Sequence, residues 1–211
     1  MIEKKDIVEE IRQDLSNNKK LDEILKDLEY EANLARWAHR FSTNEFDKNI
    51  NLSRKLFHYV LSTAKDYRDY VDFAFYISKK DGLEDNNLAK EAYKLAVTKI
   101  TLLRDLRTVA DILAKEKDSF YDKDMAKSIY SEAIEKATIV YEYLTIAESL
   151  SDKELLNDKK WAKEVYQEAI KISSTADEIE TIAQSIANED TLDDDKWANE
   201  VFALSSKYKD N

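Results

Sequence analysis

The chain has 211 residues with one glycine and no proline, which excludes β-sandwiches, barrels and collagen-like or linker sequences. With 43% hydrophobic residues, 36% charged residues and twelve tyrosines, it has core material and a highly charged surface, and disorder is disfavoured. Without cysteine there are no disulfides, thiolate metal sites or cysteine nucleophiles, and a net charge of −11 is the wrong field for a phosphate backbone.

Taken in chain order, residues 1–16 read as an amphipathic capping helix, with Ile7, Val8, Ile11 and Leu15 set among charges. The segment lacks the apolar core of a signal peptide, and no apolar run approaches the ~18 residues of a membrane span. A cytoplasmic protein is the expectation. Leu21, Ile24 and Leu25 look like a degenerate second helix.

From residue 34 two helical patterns alternate. The first reads Leu34/Trp37/Ala38/Phe41 and returns as Tyr70/Phe73/Ala74/Ile77, Leu106/Val109/Ala110/Leu113, Tyr143/Ile146/Ala147/Leu150 and Ile179/Ile182/Ala183/Ile186. The second reads Leu52/Ser53/Phe57/Val60, Leu88/Ala89/Tyr93/Ala96, Met125/Ala126/Tyr130/Ala133, Trp161/Ala162/Tyr166/Ala169 and Trp197/Ala198/Phe202/Ser205. Offsets of three and four place each set on one helical face, so these residues are expected to be core, Trp161 and Trp197 included. The leading residue of the second pattern recurs at intervals of 36, 37, 36 and 36. Three positions before it stands Asn49, Asp85, Asp122, Asp158 or Asp194, each a good N-cap. Thr101, Thr138 and Ser174 are the expected caps of the first-pattern helices. Polar Ser205-Ser206 in the last copy suits a face with no successor.

These alternating motifs resemble the tetratricopeptide repeat, in a divergent or Sel-like form with alanine in the tight small position and a 36-residue period. The resemblance implies a right-handed, all-α solenoid of about twelve helices in antiparallel pairs. Residues 1–211 would form a single helical-repeat domain, with 1–16 as the capping helix and 17–208 as five to six repeats. It further implies that the first helix of each pair lines a concave binding face. The inward positions are then Val71 and Phe75, Arg107 and Asp111, Leu144 and Glu148, and Glu180 and Gln184, with Arg68, Arg104, Tyr141 and Asp177 one turn earlier. Arg68, Arg104 and Arg107 near Tyr141 suit a carboxylate, which arginine binds bidentately; local ion pairs such as Arg107 with Asp111 are the competing reading.

Little points to chemistry. His39 and His58 are the only histidines, and neither stands in a metal-binding or catalytic motif. Asp193-Asp194-Asp195 lacks the glycine turn and distal glutamate of a calcium loop. A single glycine, Gly82, cannot build a phosphate loop. No catalytic, cofactor or metal site is expected, and the chain reads as a non-enzymatic adaptor or scaffold for a protein or peptide. Nucleic acid and membrane are disfavoured as partners, and the sequence leaves the oligomeric state open. An alternative comes from charge placement. Residues 1–107 hold 20 Lys+Arg and 20 Asp+Glu, whereas 108–211 hold 13 lysines, no arginine and 24 Asp+Glu. An acidic half suits an inhibitor or immunity-type protein that blocks a basic partner such as a toxin or nucleic-acid-binding enzyme.

Overall fold

The computed structural model describes Gln13 and residues 34–115 and 120–209. The capping helix over 1–16 and the degenerate helix that follows lie outside the described residues. Among the described residues every regular element is helical, as the composition requires. The elements are α1 (Leu34–Ser42), a 3-10 turn (Asn44–Phe46), α2 (Ile50–Thr63), α3 (Tyr67–Ile77), α4 (Asn86–Lys99), α5 (Leu103–Ala114), α6 (Lys123–Lys136), α7 (Val140–Ser151), α8 (Lys159–Ile172), α9 (Ala176–Ala187), α10 (Asp195–Phe202), a second 3-10 turn (Ala203–Ser205) and α11 (Ser206–Lys209).

The second-pattern helices start where the spacing places them. Side-chain oxygens of Asn49, Asp85, Asp122, Asp158 and Asp194 accept the backbone N–H three residues on, at 2.9–3.1 Å. The loop ahead of them repeats too. The N–H of Asp85, Asp122, Asp158 and Asp194 donates to the carbonyl of Ile77, Leu113, Leu150 and Ile186 respectively. Glu84, Asn157 and Asp193, each just before its cap, hold the left-handed conformation with φ of 51–56°. Asn and Asp tolerate that region better than most side chains, which is how two of these loops turn without glycine.

The first-pattern helices begin one residue later than expected. Their N-caps are Leu102, Ile139 and Thr175 rather than Thr101, Thr138 and Ser174. In α7 and α9 the reason is a returning carboxylate. Glu142 accepts the backbone N–H of Thr138 and Ile139, and Glu178 accepts those of Ser174 and Thr175, which holds Thr138 and Ser174 outside the helix.

The chain forms two compact units, Met1–Thr98 with Asp118–Phe120, and Lys99–Lys117 with Tyr121–Asn211. In the first, α1 packs on α2 and α3, and α2 packs on α3. The core is aromatic: Phe57 meets Phe73 edge-to-face at 5.4 Å, Phe41 meets Phe46 at 4.8 Å, and Tyr93 stacks on Phe120 at 5.7 Å. Ser53 takes the small position that alanine fills in the later copies, and its hydroxyl donates to the Ala38 carbonyl at 2.6 Å.

In the second unit α5 pairs with α6, α7 with α8 and α9 with α10, while α5 also touches α7 and α7 touches α9. Ala110 and Ala147 are wholly buried in these contacts, as are Tyr130 and Tyr166. Trp161 and Trp197 are half-buried rather than core. Each lies edge-on against the tyrosine of the preceding pair, Tyr130 and Tyr166, at 6.3 Å. The expected polar end is also covered. The last 3-10 turn and α11 pack on α9, Ser205 is buried, and the Tyr208 hydroxyl donates to the Ser173 carbonyl at 3.1 Å.

Gly82 does not serve a left-handed turn, since it has no positive φ. It is glycine because α1 comes close: a Cβ there would lie 2.5 Å from His39 Nδ1 and 2.8 Å from Ser42 Oγ. His39 itself is buried, lies 5.9 Å from the tilted Tyr76 ring and faces Asp81 through Nε2 at 3.4 Å; burial holds its pKa below the usual value. Gly82→Ala is expected to destabilise the protein by about 1–3 kcal/mol, the usual range for overpacking, as read from urea denaturation. An unchanged midpoint would show that His39 and Ser42 move aside freely.

Candidate functional site: a groove at the starts of α5 and α7

The candidate residues fall in both units. In the first, Arg68 is exposed with its guanidinium 5.3 Å from the Tyr67 ring, and Val71 and Phe75 are half-buried. Phe75 meets Tyr76 edge-to-face and carries Lys79 over its ring at 5.0 Å. The other candidates belong to the second unit. Leu144 is a core residue, 4% exposed, and presents nothing to a ligand. Asp177 and Gln184 are exposed, and Glu180 is half-buried.

Asp111 and Glu148 are tied into two buried polar networks of one design. Tyr130 Oη donates to Asp111 Oδ1 at 2.5 Å; Ser149 and the Arg107 guanidinium also bear on that carboxylate, and Arg107 Nη1 lies 3.4 Å from Ser149 Oγ. One pair later, Ser185 Oγ donates to Glu148 Oε1 at 2.8 Å and lies 2.7 Å from Tyr166 Oη. Each network joins a tyrosine of the second helix to an acid of its own first helix and a serine of the next. Burial pushes Tyr166 up to about 12 and Tyr130 higher still. Tyr93 is the contrasting case. Phe75 stands eighteen residues before it and offers no acceptor, and its buried hydroxyl has no hydrogen-bond partner among the described residues. These two acids therefore act inside the fold rather than as free contacts.

Burial also raises the pKa of Asp111, against its hydrogen bonds and Arg107, which lower it. A carboxyl whose folded pKa lies above its unfolded value favours folding when protonated, so this contribution is lost as pH rises through the folded pKa. Asp111→Asn is expected to remove that slope: its stability relative to the parent should improve as pH is raised from 4 to 7. Parallel urea curves at every pH would show Asp111 to be unperturbed.

What the fold does bring together is Arg104, Arg107 and Tyr141. They line an open groove of about 540 Å³ with Leu102, Leu103, Ile139, Glu142 and Thr145. Arg104 is exposed and pairs with Asp105, with Nε to Oδ1 at 3.8 Å. Leu102, Ile139 and Tyr141 are 49%, 55% and 70% exposed, the three most exposed large apolar side chains among the described residues.

Leu102 and Ile139 were missed in the sequence, yet a signal was there. Both stand eight residues before the central alanine, where other copies carry Asp66 and Thr175. Asp66 accepts the N–H groups of Arg68 and Asp69, and Thr175 accepts that of Glu178. Leu102 and Ile139 make no side-chain cap. Replacing a capping side chain by an apolar one costs about 1 kcal/mol. Two adjacent helices thus give up a cap and expose an apolar residue in its place.

No family model, curated protein or solved structure matches the chain.

Proposed function

We propose that this chain is a non-enzymatic protein-interaction module of the tetratricopeptide-like type, an adaptor or scaffold that acts in the cytoplasm. In this reading the helix pairs continue as a right-handed solenoid of about twelve helices, and the first helices present the binding face. Two things support it: motif copies in register at 36–37 residues, and stacked helix pairs in which successive first helices touch. The observation that carries it is the groove of Arg104, Arg107 and Tyr141 with exposed Leu102 and Ile139, since exposed apolar side chains grouped beside arginine mark interaction surfaces.

The test places a photoreactive benzophenone side chain at position 141 in the intact protein and, as control, at exposed Lys160. Irradiation in cells should give a discrete protein adduct at 141 and none at 160. No adduct at 141, or the same adduct at both, would overturn the reading. X-ray scattering should show an elongated, curved particle; a compact profile argues against the solenoid.

Charge placement favours a second reading, an inhibitor or immunity-type protein whose acidic residues 108–211 block a basic partner. The partner trapped by cross-linking separates the two. An inhibitor silences the enzyme it captures, and that association weakens steeply with salt; an adaptor leaves the partner's activity intact.

A further inference from the structure

We propose that the loop between α3 and α4 is a latch worked by protons: it lies shut on α1 while the His39 ring is neutral and lifts away when that ring becomes an imidazolium. The latch belongs to the first unit and is independent of the interaction-module reading.

The surroundings of the ring carry the inference. His39 is buried on α1, and Gly82 of the loop lies so near that a Cβ on it would stand 2.5 Å from Nδ1 and 3.0 Å from Cε1. Nδ1 is shut off from water and has no hydrogen-bond partner among the described residues. Ser42 Oγ, the other atom that crowds Gly82, donates to the His39 carbonyl at 2.6 Å. Nε2 faces Asp81 Oδ1 at 3.4 Å. A neutral imidazole with its proton on Nε2 leaves Nδ1 bare, which the closed loop tolerates. An imidazolium donates from both nitrogens. The proton on Nδ1 is then a buried donor without an acceptor, and water reaches it only if the loop moves.

The charges that act on the ring come from the loop. Asp81 favours the imidazolium and Lys79 opposes it, with Lys80 between them in sequence. α3 faces the ring with Tyr76. On α1 the neighbouring Arg40 is engaged by Glu45, and α2 reaches the next residue back through Ser53, which donates to the Ala38 carbonyl. Asp81 answers only the Nε2 end, and its side chain is 69% exposed, so water weakens its pull. Burial first, and Lys79 second, outweigh it, in keeping with the lowered pKa of His39.

The loop is the side that yields. Ala38 and Phe41 on α1 are wholly buried, whereas Lys80 and Asp81 are exposed. Residues 80–82 also wall an open recess of about 560 Å³ together with Ser42 and the 3-10 turn, so lifting them rebuilds that surface. The open form takes the proton more readily than the closed one. Stability of the closed form is therefore full above the ordinary histidine pKa and is lost as pH falls from there through the lower folded value.

The test uses the absence of cysteine from the chain. Ser42→Cys places one thiol beneath the loop, and Ser53→Cys places one on α2 as control; both serines are buried. Labelling by a thiol reagent is measured at pH 7 and pH 5, each rate divided by that of the same variant in urea at the same pH. The ratio at position 42 should rise about tenfold at pH 5, and that at position 53 less than about twofold. Adding His39→Gln, which has no proton to gain, should remove the rise. Adding Asp81→Asn, at an exposed side chain, should enlarge it about threefold, because the closed imidazolium loses its carboxylate; a merely structural Asp81 would shift both pH values alike. An equal ratio at both pH values, a rise that survives His39→Gln, or an equal rise at position 53 would each overturn the latch. Should a cysteine variant fail to fold, as melting curves would show, nuclear magnetic resonance of the unaltered chain decides. The His39 Cε1–H signal should titrate at lower pH in the folded chain than in urea, and titration at the same or higher pH would overturn the proposal.

Discussion

Replacing Tyr130 by alanine is expected to cost about 4 kcal/mol of folding free energy, the range for deleting a fully buried large aromatic side chain. The side chain is inaccessible, its ring is the edge-on partner of Trp161, and its hydroxyl donates to Asp111. Deletion removes apolar contact and leaves a half-buried carboxylate with one donor fewer. Tyr130→Phe separates the two parts: it keeps the ring and should cost about 1.5–3 kcal/mol for the lost hydrogen bond to a charged group. Chemical denaturation of both variants is the measurement. A cost below about 1 kcal/mol for the alanine variant would show that the pocket collapses around it, or that water replaces the ring.

Ala147→Leu should be nearly as damaging. Ala147 is wholly buried on α7, the helix that contacts α5, α6, α8 and α9. Three further heavy atoms have nowhere to go without moving a neighbouring helix, and overpacking of this kind costs about 1–3 kcal/mol or more. Ala147→Gly is the counterpart: it leaves the space but weakens the helix by roughly 1 kcal/mol. The leucine variant should melt well below the glycine variant. The reverse order would show that the alanine sits beside spare volume.

The second-pattern helices were legible almost to the residue because their start signal is local: an Asp or Asn whose oxygen reaches the N–H three positions on. The buried alanine and aromatic faces were legible for the same reason, since offsets of three and four are a property of one helix. What escaped was anything that needs a second element. Trp161 shares the helical stripe of Ala162 and Tyr166, yet it is half-buried where it meets Tyr130 of the preceding pair, a contact that no spacing within one helix reveals. Asp111 and Glu148 stood among the expected concave-face positions of their own helices, and only the tyrosine of the paired helix and the serine of the next show them to be bound. The reason for glycine at position 82 was not legible either, because it is the ring of His39, over forty residues earlier, that leaves no room for a Cβ. Leu102 and Ile139 were visible as exceptions to a column of caps, but only once the helix starts had been fixed.

The two tyrosine networks have a consequence for how the second unit comes apart. Glu148 on α7 and Tyr166 on α8 both meet Ser185, which belongs to α9. Lys159 and Lys163 on α8 likewise reach the Leu192 carbonyl and Asp194, both in the α9–α10 loop. If α9 peels away, it strands two inward-facing polar groups on the pair left behind, at about 1–3 kcal/mol for each that water cannot reach. Terminal fraying, ordinarily the easiest motion of a stacked helical array, is therefore penalised at this seam. Amide exchange in α7 through α9 should follow a shared opening event, with protection rising and falling together, instead of a gradient that decays toward the C-terminus.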